Sequence, residues 1–254
     1  MGGRKWGQHF FWNRGLAEKI VDLIPITPED YVLEIGPGKG ILTRFILNRT
    51  PHLTALEIDP ELAEGLREMF PGLFLLQGDF LEQDLSNLLP PRFKVVSNLP
   101  YKISRPTLQR ILQWRESLQE AVLVVQKELA ERVVPHSTCY EASPLSISLH
   151  IFYRMRIAFH LSPGSFNPPP KVDSSALIFQ KRDLPLYSPE DFPHFYSFLQ
   201  RLFNPRRKSI RNRLEEKERT PALEAGFDLT KRAEELSEER LISLYRAIYD
   251  PPRS

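Results

Sequence analysis

The stretch Tyr31-Val32-Leu33-Glu34-Ile35-Gly36-Pro37-Gly38-Lys39-Gly40-Ile41 decides the fold. Residues 31–35 are a short apolar run, the pattern of a buried strand. Glycines follow at alternate positions, and residues 41–47 then carry a helical pattern. Glycine lets a backbone turn sharply and approach a ligand closely, and the helix start beyond it adds free N–H donors. A second strand, residues 52–56, ends at Glu57, 21 residues after Gly36. A carboxylate at that place can hold a ribose diol. A dinucleotide fingerprint would need its third glycine at position 41, which is Ile41.

Outward from this unit, strand and helix patterns keep alternating. A helix starts at Pro60, after Asp59, and a strand over residues 73–76 runs into Gln77-Gly78-Asp79-Phe80. Residues 93–96 and 121–125 read as strands, and 105–114 and 127–134 as helices. Residues 143–152 fit helix or strand equally well. Residues 155–161 and 175–179 complete the strands. The alternation predicts an α/β fold with a mostly parallel, Rossmann-like sheet. After Arg182 comes a Pro-containing linker, then helical patterns only, over residues 190–203, 206–214 and 237–249. The expected organisation is a sheet domain, residues 1–183, and a small all-α domain, residues 184–254.

Composition narrows the setting. The chain has 254 residues, a net charge of +2 and no apolar run of membrane-spanning length. The opening residues lack the apolar segment of a secretory signal. One cysteine, Cys139, cannot form an intrachain disulfide, and no metal-ligand cluster accompanies it. The expectation is a cytoplasmic monomer with no membrane association and no metal.

The chemistry gathers at Ser97-Asn98-Leu99-Pro100-Tyr101, at the end of the 93–96 strand. Strand ends are where ligands sit in such sheets. Asn98 can accept from an amino group and Tyr101 can stack on a flat base. Asp79 can accept from an adenine amine, with Phe80 flanking the ring. Phe166-Asn167-Pro168-Pro169-Pro170-Lys171-Val172-Asp173-Ser174 is a proline-stiffened loop able to hold Phe166 at low entropic cost. Arg201, Arg206, Arg207, Lys208, Arg211 and Arg213 form a basic cluster with no acid among residues 201–213. On a helix, Arg207 and Arg211 would share a face, and such clusters bind phosphates.

Taken together, these motifs resemble the rRNA adenine N6-dimethyltransferases, and most closely the bacterial small-subunit type, which modifies two adjacent adenines near the 3′ end of 16S rRNA. The likeness runs from Gly7 to about Leu214. Its markers are Asn98-Leu99-Pro100-Tyr101, the Phe166 loop and Phe203-Asn204-Pro205-Arg206-Arg207-Lys208. The resemblance implies S-adenosylmethionine as cofactor, with Gln8, His9 and Phe11 closing over it. Glu34 would introduce the turn Gly36, Gly38 and Gly40, which passes the methionine part. Glu57 would hold the ribose, and Asp79 and Phe80 the adenine. Asn98 would touch cofactor and target base, with the carbonyl of Leu99 or Pro100 as a second acceptor. Tyr101 and Phe166 would sandwich the flipped adenine, while Arg206, Arg207, Lys208 and Arg211 would bind RNA in the small subunit or its precursor. Phe11 stands where the family usually has Leu, and residues 141–146 depart from its pattern. Alternatives are the large-subunit methyltransferase type that confers macrolide resistance, a non-catalytic ribosome-assembly factor and a small-molecule methyltransferase.

Overall fold

A computed structural model describes residues 9–85, 87–135, 141–187, 192–204 and 208–249. In chain order the first half comprises β1 (Phe10–Phe11), α1 (Arg14–Val21), β2 (Val32–Ile35), α2 (Ile41–Leu47), β3 (Leu53–Glu57), α3 (Pro60–Met69), β4 (Phe74–Gln77), β5 (Phe93–Asn98) and α4 (Tyr101–Gln113). The second half comprises β6 (Leu118–Gln126), α5 (Lys127–Val133), α6 (Pro144–Phe152), β7 (Tyr153–Leu161), β8 (Phe166–Asn167), β9 (Ser174–Lys181), α7 (Phe192–Phe203), α8 (Glu216–Glu224) and α9 (Glu238–Tyr249).

Seven strands form one sheet in the order β4-β3-β2-β5-β6-β9-β7. The pairings from β4 to β6 are parallel, and β9 runs antiparallel to both β6 and β7. Alternate strand residues feed opposite faces, as the two-residue strand period requires. Val32, Val96, Val122 and Val124 pack under α1 and α2, which supply Ala17, Ile20, Phe45 and Ile46. Leu33, Val95, Ala121 and Leu123 face the other way, toward Leu108 and Ile111 of α4. That second core continues through Ile147 and Ile151 of α6 into Phe195 and Leu199 of α7 and Leu241 and Tyr245 of α9.

Two helical expectations are corrected. The helix read as starting at residue 105 begins at Tyr101. Pro106 lies inside α4, with Pro100 at the N-cap. Residues 208–214 hold only a 3₁₀ turn, Ile210–Asn212, instead of a helix. The backbone N–H groups of Ile210 and Arg211 donate sideways, to Lys231 O at 2.8 Å and Leu229 O at 2.9 Å. Those bonds replace the helical ones, so Arg211 does not sit on a helix face. Residues 143–152, ambiguous in sequence, are α6, started by a reciprocal Ser143–Ser146 capping box.

Candidate active site

The site lies where the strand order reverses. From β2 the chain proceeds through β3 to β4 on one side and returns to add β5 on the other, which is the place where open α/β sheets bind ligands. The β2–β5 ladder stops at Leu33↔Val95, although β5 goes on pairing with β6 as far as Asn98↔Val124. Where the two strands part, the Ser97 hydroxyl donates to Ile35 O, occupying a carbonyl the ladder no longer uses. Above this fork opens a cavity of about 290 Å³.

The glycine turn forms one wall. Gly38 has φ +59°, and a Cβ there would fall 2.7 Å from the Phe10 ring. Gly40 caps α2 at φ 74°, in the left-handed region, against Phe70. Both positions therefore require glycine. The Lys39 ammonium lies 5.2 Å from the centroid of the same Phe10 ring.

Acids line the floor. Glu57, at the tip of β3, accepts from Gly38 N–H at 2.9 Å and from Asp59 N–H at 3.0 Å, so it ties the glycine turn to the strand while facing the cavity. Burial pushes its carboxyl above the ordinary range, against the pull of those N–H groups. Glu34, 1% exposed, is pushed up to about 8, chiefly by burial and further by the Glu57 charge. It accepts from the Thr43 hydroxyl at 2.7 Å and from the Thr43 backbone N–H. Asp79 accepts from Leu81 N–H at 2.8 Å and lines the cavity beside buried Phe80, which packs edge-on against Trp114.

The rim is formed by the Asn98 loop and the arm ahead of α1. Asn98 Nδ2 donates to His9 O at 2.8 Å. That bond fixes the amide's orientation and, among the described residues, leaves Oδ1 as its open acceptor. Pro100 O already accepts from Ile103 N–H at 3.0 Å, so of the Leu99 and Pro100 carbonyls the Leu99 one is outside that bond. Tyr101 is half-buried, its hydroxyl 2.7 Å from Ser174 Oγ, and burial pushes it above its usual pKa. The arm is clamped by β1 pairing antiparallel with β8, Phe10 opposite Asn167 and Phe11 opposite Phe166. His9 Nδ1 bonds Pro168 O at 2.8 Å.

The structure thus brings His9, Phe11, Glu34, Gly36, Gly38, Glu57, Asp79, Phe80, Asn98, Leu99 and Pro100 to one cavity. Gly40 shapes the turn from behind. Tyr101 stands just outside, and the ring against it is that of His9, at 5.5 Å between centroids. Phe166 is 3% exposed and stacked on Phe11 at 4.8 Å, so it supports the arm from beneath. Gln8, Arg206 and Arg207 lie outside the described residues. Lys208 and Arg211 are exposed. Arg201 leaves the basic cluster, because its guanidinium is committed to Glu218 at 2.7 Å and Glu215 at 3.2 Å. The sequence reading missed Phe10, Lys39 and Lys102 as lining residues. Lys39 lies inside the glycine turn, and Phe10 and Lys102 adjoin the His9–Phe11 and Asn98–Tyr101 motifs, but none carries a chemical signature of its own.

A family model described as Ribosomal RNA adenine dimethylase matches residues 2–250. Ribosomal RNA small subunit methyltransferase A of Chlorobium limicola is 35% identical over 245 residues, covering 96% of this chain and 92% of that protein. The protein of that name from Bordetella pertussis is 35% identical over 248 residues, covering 96% and 93%. Among solved structures, a dimethyladenosine transferase from Plasmodium falciparum superposes with a TM-score of 0.75 at 26% identity, over 93% of this chain and 96% of that one. The 23S rRNA methyltransferase ErmE gives a TM-score of 0.73 at 25% identity, over 94% and 99%. With these motifs on this sheet, the chain belongs to the ribosomal RNA adenine dimethylase family.

Proposed function

We propose that this chain transfers methyl groups from S-adenosylmethionine to N6 of two adjacent adenines in the 3′-terminal hairpin of 16S rRNA, dimethylating each. The observation that carries the reading is the Asn98 amide, held by His9 O with its oxygen open at the rim of an acid-lined cavity. The cavity fits the cofactor: Glu34 and Glu57 are buried acids on its lining whose carboxyl groups burial pushes up, a setting that favours a positively charged ligand. Glu34, Glu57, Asp79 and Phe80 would hold it, and Gly36 and Gly38 let backbone come close. Bound there, S-adenosylmethionine supplies an electrophilic methyl group.

Asn98 Oδ1 and the Leu99 carbonyl accept the two N6 hydrogens of the target adenine. The adenine amine is a poor nucleophile because its lone pair is delocalised into the ring. Two acceptors favour the pyramidal amine and stabilise the positive charge that grows on it during in-line attack. Tyr101, pinned by Ser174, offers a stacking face that orients the base. The surplus proton then leaves to water. A base must first leave its stack, at a cost of a few kcal/mol, roughly. Phosphate contacts from residues 184–254, Lys208 and Arg211 among them, offset part of that.

The test is transfer of labelled methyl from S-adenosylmethionine to small subunits prepared without the modification, followed by mapping of the label. Dimethyladenine in the 3′-terminal hairpin is the expected product. Label confined to large-subunit rRNA would move the chain to the resistance type. Asn98→Ala is expected to lower transfer by about 10²-fold or more, with cofactor affinity largely kept. Wild-type turnover in that variant would sink the mechanism.

A further inference from the structure

Helix α4 starts at the rim and carries Lys102, Arg105 and Arg110 but no acid along Tyr101–Gln113. Arg110 is used internally, donating to Leu81 O at 2.9 Å and lying over the Phe80 ring. Lys102 and Arg105 are exposed, and no side-chain hydrogen bond or ion pair engages either of them among the described residues. Three positions apart on a helix, they share a face, whereas Ser104, Thr107, Leu108 and Ile111 turn into the core. Lys102 borders the cavity. Arg105 lies near enough to Tyr196 of α7 to oppose the rise that burial gives that hydroxyl. The two cations therefore lead from the rim toward the helical segment.

The placement runs against local preference. Cations in the first turns of a helix face the positive end of its macrodipole, where acids are favoured. A local rule broken without an internal partner marks a place where an external one is expected. The nearby Lys39 ammonium is set over Phe10; among the described residues no ring seats Lys102 in that way.

We propose that Lys102 and Arg105 are RNA-backbone contacts, gripping the phosphodiesters beside the target adenine and directing the strand from the cavity rim toward α7. This rests on the RNA-methylating reading above and extends it to residues outside the Arg206–Arg211 cluster. Two phosphates held at the rim would fix where the flipped nucleotide enters, while the bases remain free of readout by this track.

The experiment measures binding of the full chain to a 3′-terminal hairpin RNA across a salt series, comparing wild type, Lys102→Gln/Arg105→Gln and the charge-keeping Lys102→Arg/Arg105→Lys. Each lost phosphate contact on a single strand lowers the slope of log affinity against log salt by about 0.7. The neutral pair is therefore expected to be shallower by about 1.4, with KM for RNA raised several-fold, and the charge-keeping pair to restore the slope. An unchanged slope in the neutral pair overturns the proposal. So does a matching loss of cofactor affinity by calorimetry, which would place Lys102 at the cofactor. If the wild-type chain methylates no RNA at all, the functional reading itself falls, a result distinct from either.

Discussion

Two glutamates in this molecule are almost equally buried, Glu34 at 1% and Glu218 at 2% exposure, and their carboxyl groups are pushed in opposite directions. Glu218, on α8, accepts from Arg201 at 2.7 Å, from the Tyr249 hydroxyl and from Glu215 N–H at 2.7 Å. Burial alone would raise it, but Glu218 lies less deep than Glu34, and there these donors outweigh burial and hold it below the ordinary carboxylate range. Glu34 has the hydroxyl and backbone N–H of Thr43 as donors and, nearby, a second acid, so burial wins and its pKa rises to about 8. Lys94, at the opposite end of the sheet, follows the Glu218 pattern, lying 3.0 Å from Asp30 and 3.1 Å from Glu120. A buried charge neutralised in place is architecture. One left uncompensated against a cavity is set for a ligand that brings the missing charge.

The comparison breaks most visibly if Arg201 is removed. Arg201→Ala leaves Glu218 buried without its cation, and such losses cost about 3–5 kcal/mol. Urea unfolding should register a lower midpoint by that amount, with cofactor affinity of the folded fraction unchanged. A loss below about 1 kcal/mol would mean the pair behaves as an exposed one. Because the folded pKa of Glu218 lies below its unfolded value, its stabilisation is present above about pH 4.5 and is lost as the pH falls through the folded pKa.

At Glu34 the sign reverses. Its folded pKa lies above its unfolded value, so the native state keeps a proton that the unfolded chain releases. Stability therefore falls as pH rises between about 4.5 and about 8, and Glu57 adds to the same trend. Glu34→Gln should flatten that slope while weakening cofactor binding by about 1.5–3 kcal/mol, the worth of a hydrogen bond to a charged group. In the wild type a bound cation favours the ionised acid, so binding at pH 7 should release part of a proton and tighten toward pH 8. Calorimetry in two buffers of different ionisation enthalpy reads that proton directly. An absence of release, with Glu34→Gln binding as tightly as wild type, would place Glu34 with the architectural acids.

What the sequence could show follows the same division. The strand–glycine turn–helix unit, Glu57 and Asn98 were legible because each uses a residue type that its local geometry requires, as at Gly38, where a side chain would strike Phe10. Helix α6 was ambiguous because it is buried on nearly every side, from Leu145 to Phe152, which erases the 3.6-residue pattern. Helix α8 went unread for the opposite reason: its charged and polar residues give no apolar stripe. The two-residue pair β1–β8, which clamps the arm, depends on contacts 155 and 157 positions apart and leaves no periodic trace. Arg201 looked like part of an RNA-binding cluster because charge along a sequence does not reveal which cations are spent on buried acids.

The smallest effect offers the finest test of that last point. Tyr249 donates its hydroxyl to Glu218 and also receives from Arg201 at 3.0 Å, while its ring packs edge-on against His194 at 4.5 Å. Burial, together with the Glu218 charge, pushes the phenol up to about 12, so it stays a donor throughout the neutral range. Tyr249→Phe keeps the ring and removes one of the donors to the glutamate. The expected cost is about 1 kcal/mol, read as a small drop in the unfolding midpoint, since Arg201 and Glu215 N–H still satisfy the carboxylate. Combined with Arg201→Ala, the phenylalanine should cost more than it does alone, because the hydroxyl would then be one of the few donors left to a buried anion. Additive losses would show that the two partners stabilise Glu218 independently, and that pairing with Arg201 by itself makes this glutamate the counterpart of Glu34.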